Sequence, residues 1–150
     1  GKFDVIEEIL RQYIEEFRLS LREDNVVKHL TRANQPNTIH EIPVQWEAWR
    51  ERRFCISLEN GDGTETLWNG IIDRVNVATD SSGKYVGATL LDYKTDAVTA
   101  ETLSGKAKTY QPQLFNYRKV LNVITGIDER EIETGLLFLG SDMYIPVDSI

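Results

Sequence analysis

The amino-acid sequence predicts an α/β domain, because the spacing of its apolar residues changes along the chain. The spacing is helical at the start, strand-like in the middle, helical again after residue 105 and strand-like near the end. A chain of 150 residues with 41% hydrophobic and 27% charged residues fits one globular domain with one core. We therefore expect a single domain, residues 1–150, with the element order α-β-β-β-α-β.

The first element is an amphipathic helix, predicted over residues 3–22. Its apolar residues recur at three- and four-residue spacing: Ile6, Leu10, Tyr13, Phe17 and Leu21. In a layered domain such a face covers a sheet, and we expect that here. The following residues 25–36 are polar and predict an irregular connection.

The middle of the chain predicts an antiparallel meander. Residues alternate between apolar and polar over 42–48 and 54–58, and further strands are expected over 66–77 and 85–95. Turn signals separate these strands at 60–63 and 80–83. A helix over 106–124, stopped by Gly126, then precedes a strand over 132–139 and a short return over 143–147.

Composition excludes several classes of protein. No apolar run approaches the roughly 20 residues that span a bilayer, and the acidic start lacks the apolar core of a signal peptide. A single cysteine, Cys55, excludes an internal disulfide and a cysteine-based zinc site, which suits the cytoplasm, and its strand pattern predicts an inert core thiol. The net charge of −7 argues against binding nucleic acid by bulk charge alone.

Two strands carry the candidate chemistry. Strand alternation places Asp92 and Lys94 on one face, and the turn at 80–83 can bring Asp73 close to Asp92. An Asp-x-Lys sequence is most often a simple ion pair at a sheet edge. Two carboxylates at sheet level can instead hold a hard divalent cation, Mg²⁺ or Mn²⁺, with the lysine beside it.

Further candidates lie on the second helix and among the tryptophans. Gln113 and Tyr117 are four residues apart and share a helix face, although a surface glutamine and a buried tyrosine would show the same spacing. Three tryptophans can stack on bases or, as is more common, pack on a sheet: Trp46, Trp49 and Trp68. Basic residues that can follow a DNA backbone or simply face solvent are Arg50, Arg52, Arg53, Lys106, Lys108, Arg118 and Lys119.

Three segments together resemble a known family. Gly-Ile-Ile-Asp-Arg-Val at 70–75, Leu-Asp-Tyr-Lys-Thr-Asp at 91–96 and Gln-Leu-Phe-Asn-Tyr at 113–117 are similar to the motifs of the RecB-like nuclease domain of the PD-(D/E)XK superfamily. That domain is found at the C-termini of the RecB and AddA helicase–nucleases. The similar region runs from about residue 41 to about residue 121.

The resemblance implies a restriction-endonuclease-like α/β core, with a central mixed sheet flanked by helices, and an Mg²⁺- or Mn²⁺-dependent (exo)deoxyribonuclease of recombinational DNA repair. Asp73, Asp92 and the backbone carbonyl of Tyr93 would hold the metal, and Lys94 would orient or activate the attacking water and stabilise charge on the phosphate. Gln113 and Tyr117 would support the site and contact DNA. Glu41 resembles an acidic position of the family, although a glutamate that begins a strand is usually solvated.

One family feature is missing. Many members carry a metal-binding histidine on the first helix, and the helix predicted over residues 3–22 has none. Asp4, Glu7 or Glu8 can substitute for it, and the two histidines, His29 and His40, follow the helix. The resemblance implies a fragment of a larger chain whose partners are DNA and a helicase domain or subunit. The alternatives are a catalytically degenerate DNA-binding or scaffolding module with the same fold, and a domain whose Asp–Lys pair is only structural.

Overall fold

The computed structural model describes the backbone of residues 1–150 and all side chains except those of residues 3, 19, 20, 22, 24–26 and 29–34. The helices are α1 (Lys2–Asn34) and α2 (Leu103–Thr125). The strands are β1 (Thr38–Ile39), β2 (Ile42–Pro43), β3 (Gln45–Glu59), β4 (Glu65–Thr79), β5 (Tyr85–Lys94), β6 (Ile132–Phe138) and β7 (Met143–Pro146).

The main sheet confirms the predicted α/β class. Its five strands lie in the order β3-β4-β5-β6-β7, with β5 and β6 parallel and the other neighbours antiparallel. The helix α2 connects the two parallel strands, which need a long crossover between them. Strands β1 and β2 form a separate small hairpin.

The core lies between the sheet and α2. Val75, Leu90 and Ile132 of the sheet pack against Val120 and Leu121 of the helix, and all five side chains are buried. The helix ends at Gly126, which adopts a φ of 75° and donates its N–H to the carbonyl of Asn122. This is the left-handed termination that the sequence predicts for a glycine just after a helix.

The side-chain alternation changes phase in the long β3–β4 hairpin. In a regular strand, residues three or five apart point to opposite faces. Yet Ile72 and Val75 pack into the same cluster, and so do Trp49 and Phe54. The change falls at Asp73 and at Glu51, whose φ of 48° breaks the extended conformation of β3. Asp73 therefore faces the same side as Asp92, and not the side of Ile71 and Asn69 that strict alternation predicts.

Two expectations for the first helix were wrong. The helix runs on through residues 25–34, which were expected to be irregular. Its apolar face does not cover the sheet, because the described side chains of that face are 45–66% exposed: Val5, Ile6, Ile9, Leu10, Tyr13, Ile14, Phe17 and Leu21. The helix reaches the sheet further along, where the buried Val27 clusters with Leu91, Leu137 and Leu139.

The expected core position of Cys55 was also wrong, because its side chain is exposed. Phe54 points into the core, so its neighbour on the strand points outward. Among the residues that the structure describes, no helix is long and apolar enough to cross a membrane.

Replacing Gly135 by alanine should destabilise the protein by about 1–3 kcal/mol, the usual effect of overpacking. A Cβ at this position of β6 would meet Cε2, Cζ and Oη of Tyr144 on the neighbouring strand. The matched control is Gly105→Ala in α2, where a Cβ meets nothing within 4 Å and the alanine favours the helix. Urea unfolding measures both changes, and equal stability of the two variants would contradict this packing.

Candidate active site at the end of the central strand

The candidate site forms where β5 leaves its ladder with β4. The described pairing of these strands ends at Arg74 and Leu91, so the next residues on each strand, Asp73 and Asp92, face each other beyond it. The backbone N–H of Tyr93 donates to Oδ2 of Asp73 at 2.7 Å. A side-chain carboxylate thus takes the place of a strand hydrogen bond and is fixed beside Asp92.

Asp92 is the buried charge of the site. Its residue is 4% exposed, and it continues the core-facing row of Ala88 and Leu90. Burial raises the pKa of Asp92 to about 6, against the opposing effect of Lys94, and the nearby negative charge of Asp73 adds to the increase. Two carboxylates held together, one of them buried, favour either a proton or a positive charge beside them.

Lys94 is the cation that the chain itself supplies. Its Nζ lies 2.9 Å from Oδ2 of Asp92. It also donates to Oε1 of Gln113 at 3.2 Å and lies 4.2 Å from the ring centroid of Tyr110. Burial lowers the pKa of Lys94, but the contact with Asp92 outweighs it, so the pKa lies above its usual value and the side chain is an ammonium ion.

Tyr110 and Asp96 complete the surroundings of Lys94, and sequence reasoning assigned neither a role. The Tyr110 hydroxyl donates to both carboxylate oxygens of Asp96 at 3.0 Å, and Lys106 pairs with the same carboxylate at 2.9 Å. This fixes the Tyr110 ring under the Lys94 ammonium. Helical spacing could have identified Tyr110 as a site residue, because it lies three residues before Gln113 and seven before Tyr117, on the same helix face.

The predicted pair on α2 is brought to the site. Gln113 accepts from Lys94 and donates through Nε2 to the Tyr117 hydroxyl at 3.0 Å. Burial and the negative charge of Asp92 raise the pKa of Tyr117. Its ring packs edge-on against Phe54, with the centroids 5.8 Å apart. Phe54 reaches this position because its ring lies over Gly70, where a Cβ would be 3.0 Å from Cζ.

Glu41 is not brought to the other candidate ligands. With His40 it forms the turn of the β1–β2 hairpin, where both residues have positive φ. In the same hairpin Ile39 packs on Gly87, five positions before Asp92 on β5, or about 17 Å at the usual rise per residue. His40 lies at this same end of the sheet, where Nε2 is 2.7 Å from Oε1 of Glu131.

The acidic residues at the start of α1 do not reach the site either. Asp4, Glu7 and Glu8 are exposed, and the helix first meets the sheet near Val27, about 28 Å further along the helix axis than Glu8. His29 was expected to follow the first helix, but it lies on that helix, because α1 runs to Asn34. Its side chain lies outside the described residues. Glu23 of α1 does approach β5, because its negative charge, after burial, raises the pKa of the Tyr93 hydroxyl.

The residues present fit a magnesium-like cation. Among the described residues, no three His, Cys, Asp or Glu side chains are grouped as a metal cage. Mg²⁺ does not require one, because it keeps several waters and is typically bound by one or two carboxylates. Asp73 and Asp92 supply these. The N–H of Tyr93 points to Asp73, and in a strand the carbonyl of a residue points to the same neighbour as its N–H, so the Tyr93 carbonyl is available as a third ligand.

The basic residues divide between partnered and exposed positions. Lys106 pairs with Asp96 and Arg118 with Asp148. Arg52 stacks over Trp49, with its guanidinium 5.0 Å from the ring. The side chains of Arg53, Lys108 and Lys119 are exposed. Trp49 and Trp68 pack partly buried against the core, as the commoner of the two sequence interpretations predicts.

Comparison with known proteins adds no assignment, since no protein-family model and no curated protein matches the chain.

The two roles of Asp73 can be separated by substitution. Asp73→Asn keeps an oxygen for the Tyr93 N–H and removes the repulsion with Asp92, so the free energy of unfolding without metal should stay the same or rise by up to about 1 kcal/mol at pH 7. Asp73→Ala leaves the N–H without its acceptor and should lose about 1–3 kcal/mol. Chemical denaturation in a chelator measures both, and an equal loss in the two variants would contradict the repulsion.

Proposed function

We propose that this chain is a metal-dependent nuclease module of the PD-(D/E)XK type, with a restriction-endonuclease-like core, that hydrolyses phosphodiester bonds of DNA. The observation that carries the proposal is the convergence of Asp73, Asp92 and Lys94 at the end of β5, with Lys94 held by Gln113. A structural ion pair needs one acid and one base. Here a second carboxylate is held against the first, which costs stability unless a cation or a substrate compensates.

Asp73, Asp92 and the carbonyl of Tyr93 would hold Mg²⁺ or Mn²⁺. When bound, the cation would polarise the phosphate and supply a nucleophilic water. The carboxylates fix its place on the sheet, because Asp73 is bonded to the backbone of β5 and Asp92 is buried. A site mounted on a central strand is held more rigidly than one mounted on a loop.

Lys94 contributes directed hydrogen bonds and positive charge. An ammonium group has three N–H donors, and the contacts to Asp92 and Gln113 direct two of them. The third can donate to an oxygen of the scissile phosphate or to the attacking water. Its positive charge then stabilises the negative charge that grows on the phosphate during in-line attack, as the 3′ oxygen leaves. Gln113 holds Lys94 in this orientation by accepting its hydrogen bond, and the Tyr117 hydroxyl holds the Gln113 amide by accepting from Nε2.

The low positive charge of the chain favours delivery of the strand by a partner. The net charge of −7 argues against holding DNA by bulk charge and counterion release alone. We propose that a helicase domain or subunit presents the strand, in the cytoplasm, and that the module cleaves what it receives.

A catalytically degenerate DNA-binding or scaffolding module is the alternative. The observation that favours it is the direct ion pair of Lys94 with Asp92, which balances one buried carboxylate without a metal. Metal binding distinguishes the two functions, because a degenerate module has no need for Asp73 and Asp92 to bind Mn²⁺.

Calorimetric titration with Mn²⁺ should give a binding heat for this chain and none for Asp92→Ala, because the variant lacks the buried ligand. Equal heats would remove the basis for a nuclease at this site.

Lys94→Ala should keep Mn²⁺ binding and lower cleavage of a DNA strand by at least about 100-fold, the usual effect of losing a group that stabilises transition-state charge. Lys84→Ala is the matched control, since it removes an exposed lysine in the β4–β5 turn. Full cleavage by Lys94→Ala would refute its role.

Tyr110 is expected to act as a positioning residue through Lys94. Tyr110→Leu removes the ring under the ammonium and should lower kcat about tenfold with KM unchanged, whereas Tyr110→Phe keeps the ring and should retain most of the activity. Steady-state cleavage rates with an oligonucleotide give both constants. Equal losses in the two variants would show that the hydroxyl bond to Asp96, and not the ring, matters.

A further inference from the structure

A second feature lies beside the candidate site and is not used by it. An open cavity of about 630 Å³ lies on the surface between the β3–β4 hairpin and α2. Its walls include Phe54 and Trp68 from the hairpin and Pro112 from the helix, and Gln113 and Tyr117 lie at its border with the site. The cavity therefore opens next to the place where a phosphate would meet Lys94.

The chemistry of the cavity differs from that of the site. Its described lining contains aromatic rings, aliphatic groups, hydroxyls and amides, and it contains no charged side chain. A phosphate group is bound by cations and backbone amides, so this lining does not suit one. Flat apolar walls with neutral hydrogen-bonding groups, such as Asn69 and Asn116, suit a planar heterocycle that has donors and acceptors on its edge.

Trp68 is the wall residue whose identity packing alone does not explain. Its indole N–H is buried without a hydrogen-bond partner among the described residues, which costs roughly 1–3 kcal/mol. A phenylalanine would fill the wall without that cost. Tryptophan does offer the largest aromatic face on which a base can stack.

We propose that this cavity binds an unpaired nucleobase of the nucleotide at the scissile phosphate, stacked on Trp68. This rests on the proposed function, because it takes the phosphate position at Lys94 as fixed. Gln113 links the two parts, since its Oε1 accepts from Lys94 while its Nε2 bonds to Tyr117 at the cavity border. Gln113 therefore borders both places, so a strand whose phosphate meets Lys94 also passes the cavity. Bases in a duplex are stacked on their neighbours, so the occupant is a base without a pairing partner.

Binding is measured first, in a chelator, so that no cleavage takes place. A fluorescent single strand of ten nucleotides is compared with a strand of the same length made of abasic sugar phosphates. We expect Trp68→Ala to weaken binding of the normal strand by about tenfold and to leave binding of the abasic strand unchanged. Trp68→Phe keeps the wall filled and should give an intermediate loss. Trp46→Phe is the control, because Trp46 lines a different cavity near Gly87.

Cleavage in Mn²⁺ is measured separately. We expect Trp68→Ala to raise KM about tenfold and to leave kcat unchanged. An equal effect of Trp68→Ala on normal and abasic strands, or no effect on either, overturns the base site whether or not the chain cleaves. Base-dependent binding without any cleavage by the unaltered chain supports the base site and refutes the nuclease function instead. Circular dichroism spectra of the variants confirm that each one folds.

Discussion

The buried carboxylate of Asp92 is the constraint around which the described site is built. A charge at the end of a central strand requires compensation, and Lys94 supplies it within the described site. Lys94 comes from the same strand, two residues on, and is held there by the Tyr110 ring and by Gln113 of α2. Asp73 comes from the neighbouring strand and adds negative charge where positive charge is already needed. An amide at position 73 would keep the bond to the Tyr93 N–H without a second negative charge, so the carboxylate of Asp73 is the feature that supports the proposed function.

A few local features set the position of α2 relative to the sheet and bring the site residues together. Gly70 leaves room for Phe54, and Phe54 supports the edge of Tyr117. The conformational break at Glu51 lets Asp73 turn toward Asp92. The crossover helix between the parallel strands places its Gln113 face over the end of β5. The same elements also border the open cavity beside the site, so the charged site and the neutral, aromatic cavity share residues of the hairpin and of α2.

The first helix contacts the other face of the sheet. It meets the sheet near Val27 on the face opposite α2, and its earlier turns expose a continuous apolar stripe. The described sheet therefore has α2 on one face and the second half of α1 on the other. The acidic residues at the start of α1 are displaced from the site by the same geometry, so a first-helix metal ligand is not provided by Asp4, Glu7 or Glu8 in this arrangement.

The sequence by itself determined the order of the main helices and sheet strands, the turns, the termination of α2 at Gly126, and the grouping of Asp92 with Lys94, but it did not predict the β1–β2 hairpin or the joining of 42–48 and 54–58 into one strand. The predicted features depend on local rules, namely residue spacing, turn chemistry and strand alternation. The tertiary structure alone decided four other matters. The phase change at Asp73 depends on a strained residue in the partner strand, and the distance of Glu41 depends on where a short hairpin packs. Tyr110 gains its role only when α2 lies against β5, and the exposure of the first helix depends on where it meets the sheet. Each of these is set by residues distant in sequence, which no local pattern contains.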